Sequence, residues 1–253
     1  MSRIFSRASS EYLDASVSPP ETYFTMAAWV YAQNLDTDLQ TVMSFGQSTG
    51  NMFHRLFFDN VGLTIQGYDG INGRASTSPN GMIPNTWNHC LGTTADLSNP
   101  QVWLNGRTAG PYGSTPTTLS GLNRCTIGAL NNVGGVVHHC DSIIAQPAVW
   151  LGVLSPSEIF ALLAGAPPWQ IQSNNLWLDP RGFDEVSAGG IVLQSSKRAF
   201  IPFSDNNTVG VSSLAPPIFA MRPKRGIRVS INRPVKMAGE WRGYAGIGGG
   251  FAG

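Results

Sequence analysis

The chain has 253 residues and a net charge of +1, with 42% hydrophobic but only 12% charged residues. So few charges exclude a helical bundle, whose solvent faces need Lys, Glu and Arg, and so much apolar and aromatic residue excludes a disordered chain. The 29 Gly and 17 Pro call for many turns, and the length suits one large β domain without a second full core.

The opening residues, MSRIFSRASS, lack the apolar run of a signal peptide or membrane span, so a protein made and kept in the cytoplasm, with no membrane partner, is expected. From residue 21 to about 150 one phrase repeats: a short apolar or aromatic run, then Gly, Asn, Asp, Ser or Pro. Residues 24–31 (FTMAAWVY), 41–45 (TVMSF), 53–58 (FHRLFF), 63–66 (LTIQ), 87–94 (WNHCLGTT), 101–104 (QVWL), 124–128 (RCTIG) and 142–145 (SIIA) read as strands. Asx-Gly pairs at 69–70, 80–81 and 105–106 supply turns in which Gly admits a positive φ. Many short strands without intervening helices imply an antiparallel sandwich or jelly roll. Cys90, Cys125 and Cys140, an odd number without CxxC spacing, read as buried free thiols.

One helix stands out. Ser155, Pro156 and Glu158 supply an N-cap, a proline at the first helical position and a capping box; Ile159, Leu162 and Leu163 form the stripe that should lie on the sandwich, and Gly165 with Pro167 and Pro168 ends it. Residues 175–179 (NLWLD) could be a last strand. Beyond them 190–194 (GIVLQ) and 198–203 (RAFIPF) are strand-like pieces among prolines, and from Leu214 no run is long enough to build a core. The expected division is therefore a jelly-roll domain over 1–180 and an extended, Pro/Gly-rich arm over 181–253.

Charge divides the chain as well. Residues 1–186 hold seven Lys/Arg against thirteen Asp/Glu, whereas residues 187–253 hold nine against two, the pattern of a basic tail with an acidic partner. In the arm, Arg222, Lys224, Arg225, Arg228, Arg233 and Lys236 surround Ile227, Val229 and Ile231, which alternate as in a strand. With no interleaved aromatic for base stacking, docking on a partner protein by strand addition is favoured over a solvated tail and over nucleic acid.

Catalytic patterns are weak. A retaining glycosidase needs two carboxylates about 5 Å apart; the near candidates are Asp36 with Asp38, in a loop, and Asp184 with Glu185, which point oppositely if extended. His138, His139, Cys140 and Asp141, with His89 and Cys90, are zinc-site residue types, but neighbours in a strand face opposite ways, so a structural role is favoured. Neither a G-x-S-x-G nor a catalytic Cys context occurs.

Four segments in order resemble the concanavalin A-like lectin/glucanase superfamily, and within it the laminin-G-like, pentraxin-related jelly roll: residues 24–31, the strand NTWNHCLGT at 85–93, the hairpin QVWLNG at 101–106, and TIGA at 126–129 with AVWLGVLSPSEI at 148–159. The resemblance covers about residues 1–180 and implies an all-β antiparallel jelly-roll β-sandwich with one short helix, here followed by an extended C-terminal arm. Calcium is that family's usual ion, but Gln146, followed by the strand-breaking Pro147, stands where an acidic residue is common, and Asp96 and Asp141 are isolated, so no cofactor is expected. The resemblance assigns Trp29, Trp87, Trp103 and Trp150 to packing; Tyr68, Tyr112 and Trp169 are better places to look for a sugar.

Residues 5–13 (FSRASSEYL) are also similar to laminin-G-like proteins of tailed-phage structural gene clusters. That implies a non-enzymatic structural or decoration protein of a virion, assembled in host cytoplasm and anchored by its arm to other virion proteins and copies of itself. The alternative is a carbohydrate-binding adhesion module recognising a surface glycan.

Overall fold

The computed structural model describes residues 2–78, 80–113, 115, 119–179, 191–193, 201–206 and 210–216. The strands are β1 (Ser2–Phe5), β2 (Tyr12–Ser16), β3 (Phe24–Ala32), β4 (Gln40–Gly46), β5 (Phe53–Phe58), β6 (Leu63–Tyr68), β7 (Gly73–Thr77), β8 (Trp87–Thr94), β9 (Pro100–Leu104), β10 (Arg107–Ala109), β11 (Pro111–Gly113), β12 (Arg124–Ile127), β13 (Leu130–Asn132), β14 (Gly135–Val137) and β15 (Ser142–Trp150). The helix α1 (Pro156–Leu163) follows, then β16 (Leu176–Leu178), β17 (Ile191–Leu193), β18 (Ile201–Asn206) and β19 (Gly210–Ser212).

Two large antiparallel sheets and the two-stranded sheet β13-β14 form among the described residues. The first runs β10-β9-β8-β3-β15-β1-β19, with β16 also on β15; the second runs β11-β7-β6-β5-β4-β12-β2-β18-β17. Between them lie Phe5, Leu13, Phe24, Met26, Met43, Phe45, Leu56, Phe58 and Ile65, all without exposed surface. Side chains alternate along a strand, so the residues between these face outward. All three cysteines are free and buried, as expected, and burial pushes the Cys140 thiol up to about 12.

The outer face of the first sheet carries α1. Ser155 Oγ accepts from the Glu158 amide, and the Glu158 carboxylate accepts from the Ser155 amide at 2.8 Å, so the capping box read from the sequence is closed. Ile159 and Leu162 pack with Ala27, Leu91, Ala148 and Trp150 in a second apolar layer, and Trp150 Nε1 donates to the Ile171 carbonyl at 2.7 Å. Asn105 (φ 50°) and Gly106 (φ 81°) make the tight turn from β9 to β10, with both residues in the left-handed region. A Cβ on Gly106 would lie 2.8 Å from Leu163, because the end of α1 passes directly over this turn.

Two expectations need correction. Pro147 does not break the strand; β15 continues through it by a bulge between Ala145 and Ala148, with Gln146 at φ 50°, which accommodates a residue lacking an N–H. Nor do the sheets stop at residue 180. β18 pairs with β2 (Ser204 to Asp14), β19 pairs with β1 (Ser212 to Ser2), and Phe203, 1% exposed, fills part of the core. These short pieces add to sheet edges rather than building a core of their own, and the compact unit runs from Met1 to Ala220. The docking residues Arg222, Lys224, Arg225, Ile227, Arg228, Val229, Ile231, Arg233 and Lys236 lie outside the described residues.

Two measurements test this arrangement. Ser155→Ala removes the cap and should lower stability by about 1 kcal/mol, read as a shifted denaturant midpoint. A polypeptide of residues 1–180 loses Phe203 and the strands β17, β18 and β19, so it should be less stable than one of residues 1–216 by about 3 kcal/mol or more; equal midpoints would place the boundary back at 180.

Candidate functional site on the outer face of the second sheet

The outer face of the second sheet is divided between a half beneath the hairpin β13–β14 and a half that carries Tyr68 and Tyr112. Over β2, β12 and β4 lies the hairpin β13–β14: Ser44 Oγ donates to the Ala129 carbonyl at 2.9 Å, and Asn131 Nδ2 donates to Asp14 Oδ1 at 3.2 Å. Gly46 is glycine for this reason, since a Cβ there would fall 1.8 Å from the Asn131 carbonyl oxygen. Asp14 also holds Arg124 at 2.5 Å.

The remaining half is made by β5, β6, β7 and β11. Register pairs Phe53 with Tyr68, Arg55 with Gln66, Phe57 with Thr64, Thr64 with Thr77 and Ala75 with Tyr112, so these side chains share one face. A chain of hydroxyls crosses it: Thr64 Oγ1 to Thr77 Oγ1 at 2.7 Å, then Thr77 Oγ1 to the Tyr112 hydroxyl at 2.8 Å. Tyr112 is 55% exposed, Tyr68 is half-buried, and the Phe53 and Tyr68 rings stand 5.2 Å apart. Tyr68 and Tyr112, singled out from the sequence, therefore fall on one surface, whereas Trp169 is partly buried against the second apolar layer on the other sheet.

Arg55 lies in the middle of that face. Its Cζ stands 4.2 Å from the centre of the Phe57 ring and 5.1 Å from that of Phe53, and its Nε donates to Gln66 Oε1 at 2.9 Å. Burial pushes the guanidinium down to about 10, so it stays charged at neutral pH. The sequence reading passed over Arg55 and Gln66. Its available signal was the F-x-R-x-F spacing of 53–57, which puts a cation between two rings on one side of a strand.

The other residues weighed from the sequence assemble differently. Asp36 and Asp38 both take hydrogen bonds from Arg7, at 2.5 and 3.1 Å, and the guanidinium holds the Asp36 carboxyl below the usual carboxylate range. Asp184 and Glu185 lie outside the described residues. His138 and His139 do not oppose each other: His138 sits in a bend at φ 54°, and both line one depression of about 340 Å³ with Arg7, Thr37, Asp38 and Leu39. Burial is the main cause lowering both imidazoles below their ordinary value. Asp96 follows β8 and binds Ser98, Asp141 precedes β15 and takes the Gln40 side chain on its amide, and no cluster of three His, Cys, Asp or Glu among the described residues is placed to hold a metal ion. Trp29, Trp87, Trp103 and Trp150 all belong to the outer face of the first sheet, with Trp29 against His89 at 5.0 Å and Trp103 beneath Phe160.

A family model described as the concanavalin A-like lectin/glucanase superfamily, of the laminin-G type, matches residues 7–160. The chain belongs to this superfamily. A search of curated proteins finds no match. Among solved structures, a candidate carbohydrate-binding protein from Bacteroides ovatus is similar, with a TM-score of 0.60 at 16% identity over 86% of this chain; the present chain spans 61% of that protein's length. A heptameric SAP-like pentraxin from Limulus polyphemus gives 0.58 at 11% identity, over 84% of this chain and 95% of its own. At such identities the likeness is one of fold.

Two buried imidazoles of this laminin-G-like sandwich make its stability depend on pH. His54 faces inward behind Arg55, with Nε2 donating to the Glu21 carbonyl at 2.7 Å, and His89 packs on Trp29; burial pushes each down from 6.5 to about 4. The unfolded chain takes up these protons first, so the stability is complete above pH 6.5 and is lost as pH falls towards 4. Denaturant midpoints should decline across that window, and less steeply in a His54→Gln, His89→Gln double variant. Coincident slopes would show that the two rings are solvated.

Proposed function

We propose that this superfamily member is a non-catalytic, lectin-like module that binds a saccharide at the β6, β7 and β11 part of the second sheet's outer face. The observation that carries the reading is the presence on one face of rings and fixed polar groups: Tyr112 stands exposed with its hydroxyl oriented by Thr77 and Thr64, and Tyr68 and Gln66 lie on the same face across β7. A pyranose presents an apolar C–H face and a rim of hydroxyls, which suits rings for stacking and hydroxyl and amide groups for orientation. The similarity in fold to a candidate carbohydrate-binding protein points the same way.

Hydrolysis is not part of the proposal. A glycosidase acid requires a carboxyl whose pKa is raised, and Arg7 moves Asp36 in the opposite sense. A second reading, a phage-like virion component docked through its basic arm, draws on the resemblance of residues 5–13 and on the arm's charge pattern alone, and so ranks below the saccharide reading.

Screening the whole chain against an array of neutral and acidic glycans tests the proposal. Tyr112→Ala should weaken binding of the best ligand by about 1 kcal/mol, near fivefold, while leaving the unfolding midpoint unchanged. Failure to bind any glycan would overturn it.

A further inference from the structure

At one end of the second sheet a depression of about 290 Å³ is lined by Ser16, Val17, Ser18, Ser48, Asn123 and Arg124. Register explains the gathering: Arg124 pairs with Ser16 on one side and with Gly46 on the other, so the ends of β2 and β4 meet the start of β12 there. The depression is open to solvent. Ser16, Ser18 and Asn123 are exposed, and Arg124 keeps 32% of its side chain accessible. Asn123 holds the walls together. Its amide donates to the Gly46 carbonyl at 3.0 Å and its carbonyl accepts from Val17 at 3.2 Å, while its side chain accepts from the Ser48 amide at 3.0 Å and donates to Ser48 Oγ at 3.1 Å. The site is therefore set before any ligand arrives.

What the walls offer is hydrogen-bond donors. Ser48 Oγ already accepts from Asn123, so its own proton is left to donate, and Ser16 and Ser18 add two exposed hydroxyls. Arg124 gives only Nη1 to Asp14, at 2.5 Å, which leaves its Nε–Nη2 edge without an acceptor among the described residues. Asp14 also accepts from Thr126 at 3.1 Å and from Asn131 at 3.2 Å, so its carboxylate is well occupied and fixes the guanidinium from behind. No acidic residue lines this depression, whereas Asp38 lines the one beside His138. A cation would face the Arg124 charge with no carboxylate in the wall. An apolar ligand would strip water from the serines and Arg124 with Val17 alone to pack on. Two parallel N–H groups on a guanidinium edge, ringed by hydroxyls, match an oxyanion.

We propose that this depression is a second binding site, for the oxyanion group of a small ligand: the free edge of Arg124 binds two of its oxygens, and the Ser16, Ser18 and Ser48 hydroxyls complete its shell. Strands β4 and β5 separate β12 from β6, which carries Tyr68, so the site is distinct from the Tyr68–Tyr112 surface and stands without the saccharide reading. A phosphate monoester and a sugar carboxylate share this chemistry.

The test is a titration of the full chain with glucose 6-phosphate, glucuronate, inorganic phosphate and glucose, followed through the Arg124 Nε–H resonance. That signal reports Arg124 itself, so binding at Tyr112 does not register. Glucose 6-phosphate or glucuronate should shift it to saturation at concentrations about tenfold or more below any response to glucose, and whichever saturates first identifies the source of the oxyanion. Sodium chloride should weaken the binding without producing the shift itself. Ser16→Glu, at an exposed position opposite Arg124, places a carboxylate on the free edge and should lower affinity about tenfold with the β-sheet circular dichroism unchanged; unlike Arg124→Gln, it does not strand Asp14. An Arg124 resonance unmoved by either acidic sugar, or a Ser16→Glu variant that binds as tightly as the wild type, would overturn the site. A response to inorganic phosphate alone, an adventitious ion only, or an equal response to glucose would overturn the assigned ligand class.

Discussion

Alternation along β5 is the constraint from which fold and site both follow. His54, Leu56 and Phe58 point into the space between the sheets, and Phe53, Arg55 and Phe57 point away from it. A slip of one residue would bring the guanidinium into a layer of Phe, Met and Leu and expel Leu56 and Phe58, so burial on the inner side fixes register. Once that register is fixed, pairing with β6 and β7 brings Gln66, Tyr68 and Thr77 beside Arg55 with no separate device needed. The outer face thus inherits its geometry from the core, and its order does not depend on loops.

The same sheet shows how a backbone approach divides a surface. The hairpin β13–β14 lies so close to β4 that only glycine fits at position 46, and this covers the half of the face that holds Asp14, Arg124 and Thr126. Those polar groups satisfy one another beneath the hairpin. The other half keeps an exposed tyrosine and, among the described residues, buried polar atoms without partners on Arg55 and Thr41. The two halves are therefore distinguished by how completely their hydrogen bonds close.

The sequence was most informative where a signal is local. The long strands β3 and β8, the Asn105-Gly106 turn and the capped helix all depend on residues within one turn or one period, and each stands where local reasoning puts it. It was least informative at the edges. β1 and β2 carry Ser, Arg, Asp and Tyr among their apolar residues, β18 carries Pro202 and β19 is three residues long, so each becomes a strand only by adding to a sheet assembled from distant segments. The site was legible in part. Tyr68 and Tyr112 could be picked as loop-side aromatics, but that they share a face with Arg55 depends on three inter-strand registers that no local pattern encodes. His138 and His139 misled because an assumed strand is a bend, and a left-handed residue turns both rings to one depression.

The position of the first two strands bears on how the molecule comes to be. β1 is seated between β15 and β19, and β2 between β12 and β18, so the earliest part of the chain finds neither of its neighbours until more than a hundred further residues exist. Closing loops of that size precedes any gain from the contacts they allow, which makes assembly slow relative to a fold of local pairings. During synthesis the N-terminal segment must wait as an unpaired strand while the middle of the jelly roll forms. Ser and Arg at the start of β1, and Asp14 in β2, make that waiting segment a poor template for aggregation, a use for polar residues that the finished structure alone does not reveal.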